Sequence, residues 1–193
     1  MRGVAWLGVC GGLVAVPAWA HNFAPERELQ LQVDGQGLVL FWSFQLSGAP
    51  AQAMVGSHDL DRDGALSVLE QTTLALALLS KAQSGVTLRQ NDLALPGGKL
   101  TPRLQTDGNS VRALGLMEYP PTSSGAVAPT MQITVAVATT AAPLGMTVRA
   151  LSPCRLQAVT GGKEDHDHGL MLLPGMTLAV TLACVPEEAA PQP

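Results

Sequence analysis

Aromatic residues make up 4 % of the 193-residue chain, with one Tyr, three Phe and three Trp, so no flat aromatic surface for polysaccharide attack is evident. Charge is equally sparse at 13 %, and no cluster of Lys or Arg occurs. This argues against nucleic acid or an anionic membrane as the main partner. There is no GxSxG elbow, no phosphate-cradling glycine loop, and no acid partner motif beside any of the four histidines. Nucleophilic catalysis therefore has no signal, and the sequence does not read as an enzyme. Beyond the N-terminus no apolar run is long enough to cross a bilayer.

That N-terminus reads as an export signal. Arg2 gives a short positive start, Val4 to Val16 an apolar run, and Ala18-Trp19-Ala20 a small-x-small cleavage site. Residues 1–20 are thus expected to leave, His21 to become the first residue, and the protein to work in the periplasm or outside the cell. Loss of Arg2 leaves ten basic against fifteen acidic residues, a net charge of −5. Cys10 leaves as well. Cys154 and Cys184 remain as the only possible intramolecular disulfide, the alternative being two buried thiols.

Glu28 to Leu46 alternates, with Leu29, Leu31 and Val33 on one face and Asp34-Gly35-Gln36-Gly37 supplying turn chemistry, and it reads as a β-hairpin. Phe41, Trp42 and Phe44 add strand-favouring aromatics expected to cover a core. Residues 49–57 form a weak helix candidate, with Pro50 in its first turn and Gly56 near its end. Leu69, Thr73, Leu76, Leu79 and Ala82 recur at helical spacing and Gly85 offers a stop, so Ser67 to Ser84 is the best helix. Short strand-like runs follow from Val86 to Cys184, separated by Gly-, Pro- and Thr-rich connections. The expected fold is α+β, mainly β: an antiparallel β-sandwich or barrel over residues 21–185, with an insertion at about 50–84, one main helix and a frayed tail at 186–193.

Within that insertion lies Asp59-Leu60-Asp61-Arg62-Asp63-Gly64-Ala65-Leu66-Ser67-Val68-Leu69-Glu70. Calcium is a hard cation that takes six to eight oxygens, and carboxylates at alternate positions wrap one face of it. The twelve residues resemble the loop of EF-hand calcium-binding proteins. That resemblance implies Ca²⁺ held by Asp59, Asp61, Asp63, the Ala65 carbonyl, Ser67 directly or through water, and a bidentate Glu70. Gly64 would give the sharp turn, and Leu66 would anchor the loop to a partner loop or the core. Magnesium suits such a flexible cage less well. The competing reading is an acidic surface turn that caps a helix, with Asp63 or Ser67 at the N-cap. No second loop of this kind is visible. His21, Pro25, the hairpin with Trp42 and the acidic loop leading into a helix also resemble the extracytoplasmic N-terminal regions of HupE/UreJ-type bacterial membrane proteins, which implies a β-rich exported module.

Two further groups invite metals. Glu164-Asp165-His166-Asp167-His168 mixes imidazole and carboxylate between glycines and reads either as a solvated turn or as a zinc or copper site. His21, once N-terminal, would offer copper an amine and a ring, with His58, His166 or His168 as partner. A periplasmic copper-binding protein is therefore the alternative to a calcium-binding one. Its partners would otherwise be a protein of the cell envelope, with no nucleic acid and no membrane span after cleavage.

Overall fold

The computed structural model describes residues 26–119, 130–165 and 169–184. The expected leader and cleavage site, His21, His166, His168 and the expected tail lie outside the described residues. The hairpin forms where the alternation places it. Strands β1 (Arg27–Asp34) and β2 (Gly37–Ser47) pair antiparallel from Leu29 opposite Trp42 to Asp34 opposite Gly37. Asp34 Oδ1 accepts the Gln36 N–H at 2.7 Å and closes the turn. A period of two then sends Leu29, Leu31, Val33, Leu38, Leu40, Trp42 and Phe44 into the core. Phe41, expected to cover that core with its neighbours, falls on the opposite face and is 39 % exposed.

After two helices, α1 (Ala49–His58) and α2 (Val68–Gln83), come ten more strands. These are β3 (Val86–Gln90), β4 (Leu93–Ala94), β5 (Leu100–Thr106), β6 (Ser110–Tyr119), β7 (Thr130–Val137), β8 (Leu144–Ala150), β9 (Cys154–Thr160), β10 (Lys163–Asp165), β11 (Gly169–Leu172) and β12 (Thr177–Cys184). They make a seven-stranded sheet, β10-β11-β8-β1-β2-β6-β5, and a five-stranded sheet, β4-β3-β7-β12-β9. The fold is thus α+β and mainly β. The barrel alternative does not hold, because the strands divide between two separate sheets. Nor is the pairing wholly antiparallel, since β1 and β8 run parallel from Glu28–Gly145 to Val33–Ala150. β5 carries Pro102 and lies at a sheet edge, where a missing N–H breaks no ladder.

One buried cluster draws its side chains from both sheets and α2, among them Leu31, Leu40, Leu74, Leu78, Ile133, Val135, Val180 and Leu182. Each fully buried aliphatic side chain contributes about 1.5–3 kcal/mol. Helix α2 packs on β2, β5 and β6. Gly115 lets it approach, because a Cβ there would lie 2.7 Å from Leu100 Cδ1 and 2.9 Å from Leu79 Cδ1. The helix is turned from the face its spacing implied. Leu74, Ala75, Leu78, Leu79 and Ala82 are buried, whereas Leu69 and Leu76 point to solvent. Leu79 and Ala82 are common to both faces, and Glu70 lies on the buried one.

Cys154 and Cys184 are disulfide-bonded across the β9–β12 ladder at a sequence separation of 30. Closing a loop of that length removes about 3–4 kcal/mol of chain entropy from the unfolded state. Reduction, or the double change Cys154→Ser and Cys184→Ser, should therefore lower the urea midpoint by an equivalent amount; an unmoved midpoint would refute it. At the β5–β6 turn the Asp107 carboxylate accepts the Ser110 hydroxyl at 2.8 Å and the N–H groups of Asn109 and Ser110 at 3.1 and 2.6 Å. Those bonds, the hydroxyl foremost, hold its carboxyl below the usual carboxylate range. A depressed folded pKa gives stability that is present above the unfolded pKa and lost as pH falls through the folded one. Asp107→Asn should consequently flatten the acid limb of the stability curve, as followed by circular dichroism, and make the variant less stable than the parent at neutral pH.

Candidate metal site

The loop that joins α1 to α2 is built from its caps. Gly48, at φ 65°, precedes α1 with Pro50 in the first turn, and the helix ends where the Asp59 N–H reaches the Val55 carbonyl at 3.1 Å. Ser67 is the N-cap of α2: its hydroxyl accepts the Glu70 N–H at 3.4 Å, and its own N–H donates to Glu70 Oε2 at 2.8 Å. That is a reciprocal capping box, which satisfies two orphan donors of the helix start. The turn between the helices needs left-handed backbone at Arg62, φ 59°, and at Gly64, φ 84°. Glycine adopts it at no steric cost, and the sequence supplies it at the second position.

Asp59, Asp61 and Asp63 come together, each with a carboxylate oxygen within 4.8 Å of the others. Their orientation is fixed by the loop's own backbone. Asp59 Oδ2 accepts the Gly64 N–H at 3.0 Å, and Asp63 Oδ1 accepts the Ala65 N–H at 2.8 Å. Asp59 Oδ1, by contrast, is buried and has no hydrogen-bond partner. The Asp63 N–H favours an ionised Asp61, yet partial desolvation and the carboxylates of Asp63, Asp59 and Glu70 outweigh it and raise the Asp61 pKa. Three acids this close repel one another.

Glu70 stands outside that group. It is 7 % exposed, with Oε1 accepting the Leu60 N–H at 2.7 Å and Oε2 accepting both the N–H and the hydroxyl of Ser67, the latter at 2.7 Å. The Leu60 N–H, then the Ser67 hydroxyl and N–H, hold its carboxyl below the ordinary range. Helix capping, the competing reading of the loop, is therefore real at Ser67 and Glu70, and it coexists with the convergence of the three aspartates. Leu66 packs partly against the core, and its carbonyl accepts the Gln71 side-chain amide at 2.7 Å. Sequence reasoning missed the Leu60 N–H, which ties the second loop residue to the last; main-chain donors leave no mark in side-chain pattern.

The copper alternative relied on His21, His166 and His168, all outside the described residues. His58 closes α1 with Nδ1 3.0 Å from the Met54 carbonyl. The hairpin β10–β11 flanks the acidic histidine run, with Asp165 opposite Gly169. Among the described residues no helix is long and apolar enough to cross a membrane. No family model, curated protein or solved structure matches the chain.

Proposed function

We propose that the loop Asp59–Glu70 binds a calcium ion and that the ion stabilises an exported β-rich module, a binding or structural role rather than catalysis. The observation that carries this reading is the convergence of three carboxylates, one of which, Asp59, has its Oδ1 buried and without a hydrogen-bond partner. A buried acceptor without a donor costs about 1–3 kcal/mol. A cation supplies the missing partner and offsets the mutual repulsion that, together with desolvation, raises Asp61. The donors are all hard oxygens, which favours calcium over softer metals.

Glu70 would close the site. A carboxylate has about four acceptor positions, three of which are already taken by Leu60 and Ser67. Bidentate closure thus requires at least one of those donors to be released, so binding exchanges a helix cap for an ion contact and weakens the affinity accordingly. Affinities of about 10⁻⁴–10⁻³ M suffice for extracellular calcium modules. Titration calorimetry on residues 21–193 should show one calcium site, with magnesium much weaker. Absence of heat or of any spectroscopic change at about 10 mM calcium, tenfold above that range, would overturn the reading.

A further inference from the structure

The outer face of the seven-stranded sheet, opposite the side on which α2 packs, carries a depression of about 620 Å³ over β8, β1, β2 and β6. That is within the range of small-molecule sites, roughly 300–1,000 Å³. Ladder register assembles it in two rows. Thr147, Gln30 and Phe41 stand side by side, and next to them Gly145, Glu28, Ser43 and Leu114. Gly145 contributes no side chain, which keeps the floor low beside Glu28.

The polar lining is chemically balanced. Arg112 Nη2 donates to Glu28 Oε2 at 3.4 Å and approaches Ser43 Oγ at 3.5 Å, and the Ser43 hydroxyl donates to Glu28 Oε2 at 3.2 Å. These are long contacts, and the buried Arg112 Nε has no hydrogen-bond partner among the described residues. The guanidinium is a pure donor, the carboxylate a pure acceptor, and the Gln30 amide and the Ser43 and Thr147 hydroxyls can do both. The two charges cancel, so the site has no net preference for an ion. Beside them the ring of Phe41, 39 % exposed, is an apolar platform.

The geometry points to a binding site for a neutral saccharide unit. A sugar ring offers an apolar C–H face to Phe41 and, at its edge, hydroxyls that accept from Arg112 while donating to Glu28. An aliphatic ligand would leave the ion pair's hydrogen bonds unsatisfied, and a charged one would upset its balance. One exposed ring is enough for one sugar, although it is far from the continuous aromatic surface that polysaccharide attack requires. This site is independent of the calcium loop.

The test is a ¹H–¹⁵N titration of residues 21–193 with glucose-, galactose-, mannose- and N-acetylglucosamine-based disaccharides, with and without chelator. The expected result is saturable movement of the Phe41–Ser43 amides and of the Arg112 side chain with at least one of them, unchanged by chelator. Phe41→Leu and Arg112→Gln should each weaken that affinity about tenfold, whereas Phe41→Tyr keeps it. Melting curves establish that the variants fold. Failure of all four sugars at about 50 mM, far above the ~1 mM Kd of a weak site, would overturn the assignment. So would a response that Phe41→Leu leaves intact.

Discussion

Raising calcium from chelator to a hundredfold above its Kd should stabilise the protein by about 2.7 kcal/mol, and Asp59→Asn should abolish the increment. For a domain of this size that corresponds to a rise in Tm of roughly 5–10 °C. The variant separates the ion from the loop. Asparagine still offers an oxygen to the Gly64 N–H, which Asp59 Oδ2 accepts at 3.0 Å, but it removes one of three mutually repelling charges. The Asp59→Asn protein in chelator should therefore melt no lower than its parent, and then fail to respond to calcium. Glu70→Gln should behave differently. Its carboxylate bonds Leu60 and Ser67 without any ion, so the change lowers Tm in chelator as well as erasing the calcium response. An equal increment in magnesium, or a calcium response that survives Asp59→Asn, would remove the ion from the explanation.

That contrast between Asp59 and Glu70 also marks how far the sequence could be read. Carboxylates at alternate positions with a glycine at the turn mark the loop in which Asp59, Asp61 and Asp63 converge, whereas the main-chain donors that hold Glu70 outside that group leave no mark in the spacing. The hairpin was legible for a similar reason: Asp34-Gly35 is turn chemistry, and the alternation around it fixes both faces. Helix α2 was legible in extent, since Ser67 and Gly85 mark its ends, but its rotation was not. Leu69 and Leu76 extend the apolar stripe in sequence, and only the place of β2, β5 and β6 decides that Leu74 and Leu78 face inward. Phe41 was assigned to the core on hydrophobicity, although the period of two that buries Trp42 requires it to face out. The parallel β1–β8 pairing leaves no local sign, because more than a hundred residues separate the strands and no turn joins them.

Arg27 is the clearest case of a role invisible to pattern, and Arg27→Met should cost about 3 kcal/mol or more, lowering Tm by roughly 6–12 °C. At the start of a strand an arginine reads as an exposed cation. Here it is 2 % exposed, and its guanidinium donates to the carbonyls of Ala82 and Ser84 at 3.2 and 2.6 Å, Pro143 at 3.1 Å, and Ala142. No carboxylate faces it among the described residues. The charge is balanced instead by the C-terminal end of α2, where the last carbonyls have no helical donor and the helix dipole is negative. Methionine keeps much of the stem and its packing but leaves buried carbonyls unpaired. Arg27→Lys, with one ammonium in place of a fork, cannot reach carbonyls on both α2 and the β7–β8 loop and should lose an intermediate amount. The same helix carries Glu70 in its first turn, about 20 Å away along its axis. At that distance the two effects should add within about 0.5 kcal/mol. The calcium increment measured in Arg27→Met should therefore equal that of the parent. A loss under 1 kcal/mol for Arg27→Met would mean that water replaces the guanidinium at little cost. A calcium increment that vanishes with Arg27 would instead show that the helix shifts as a rigid rod between its anchor and its loop.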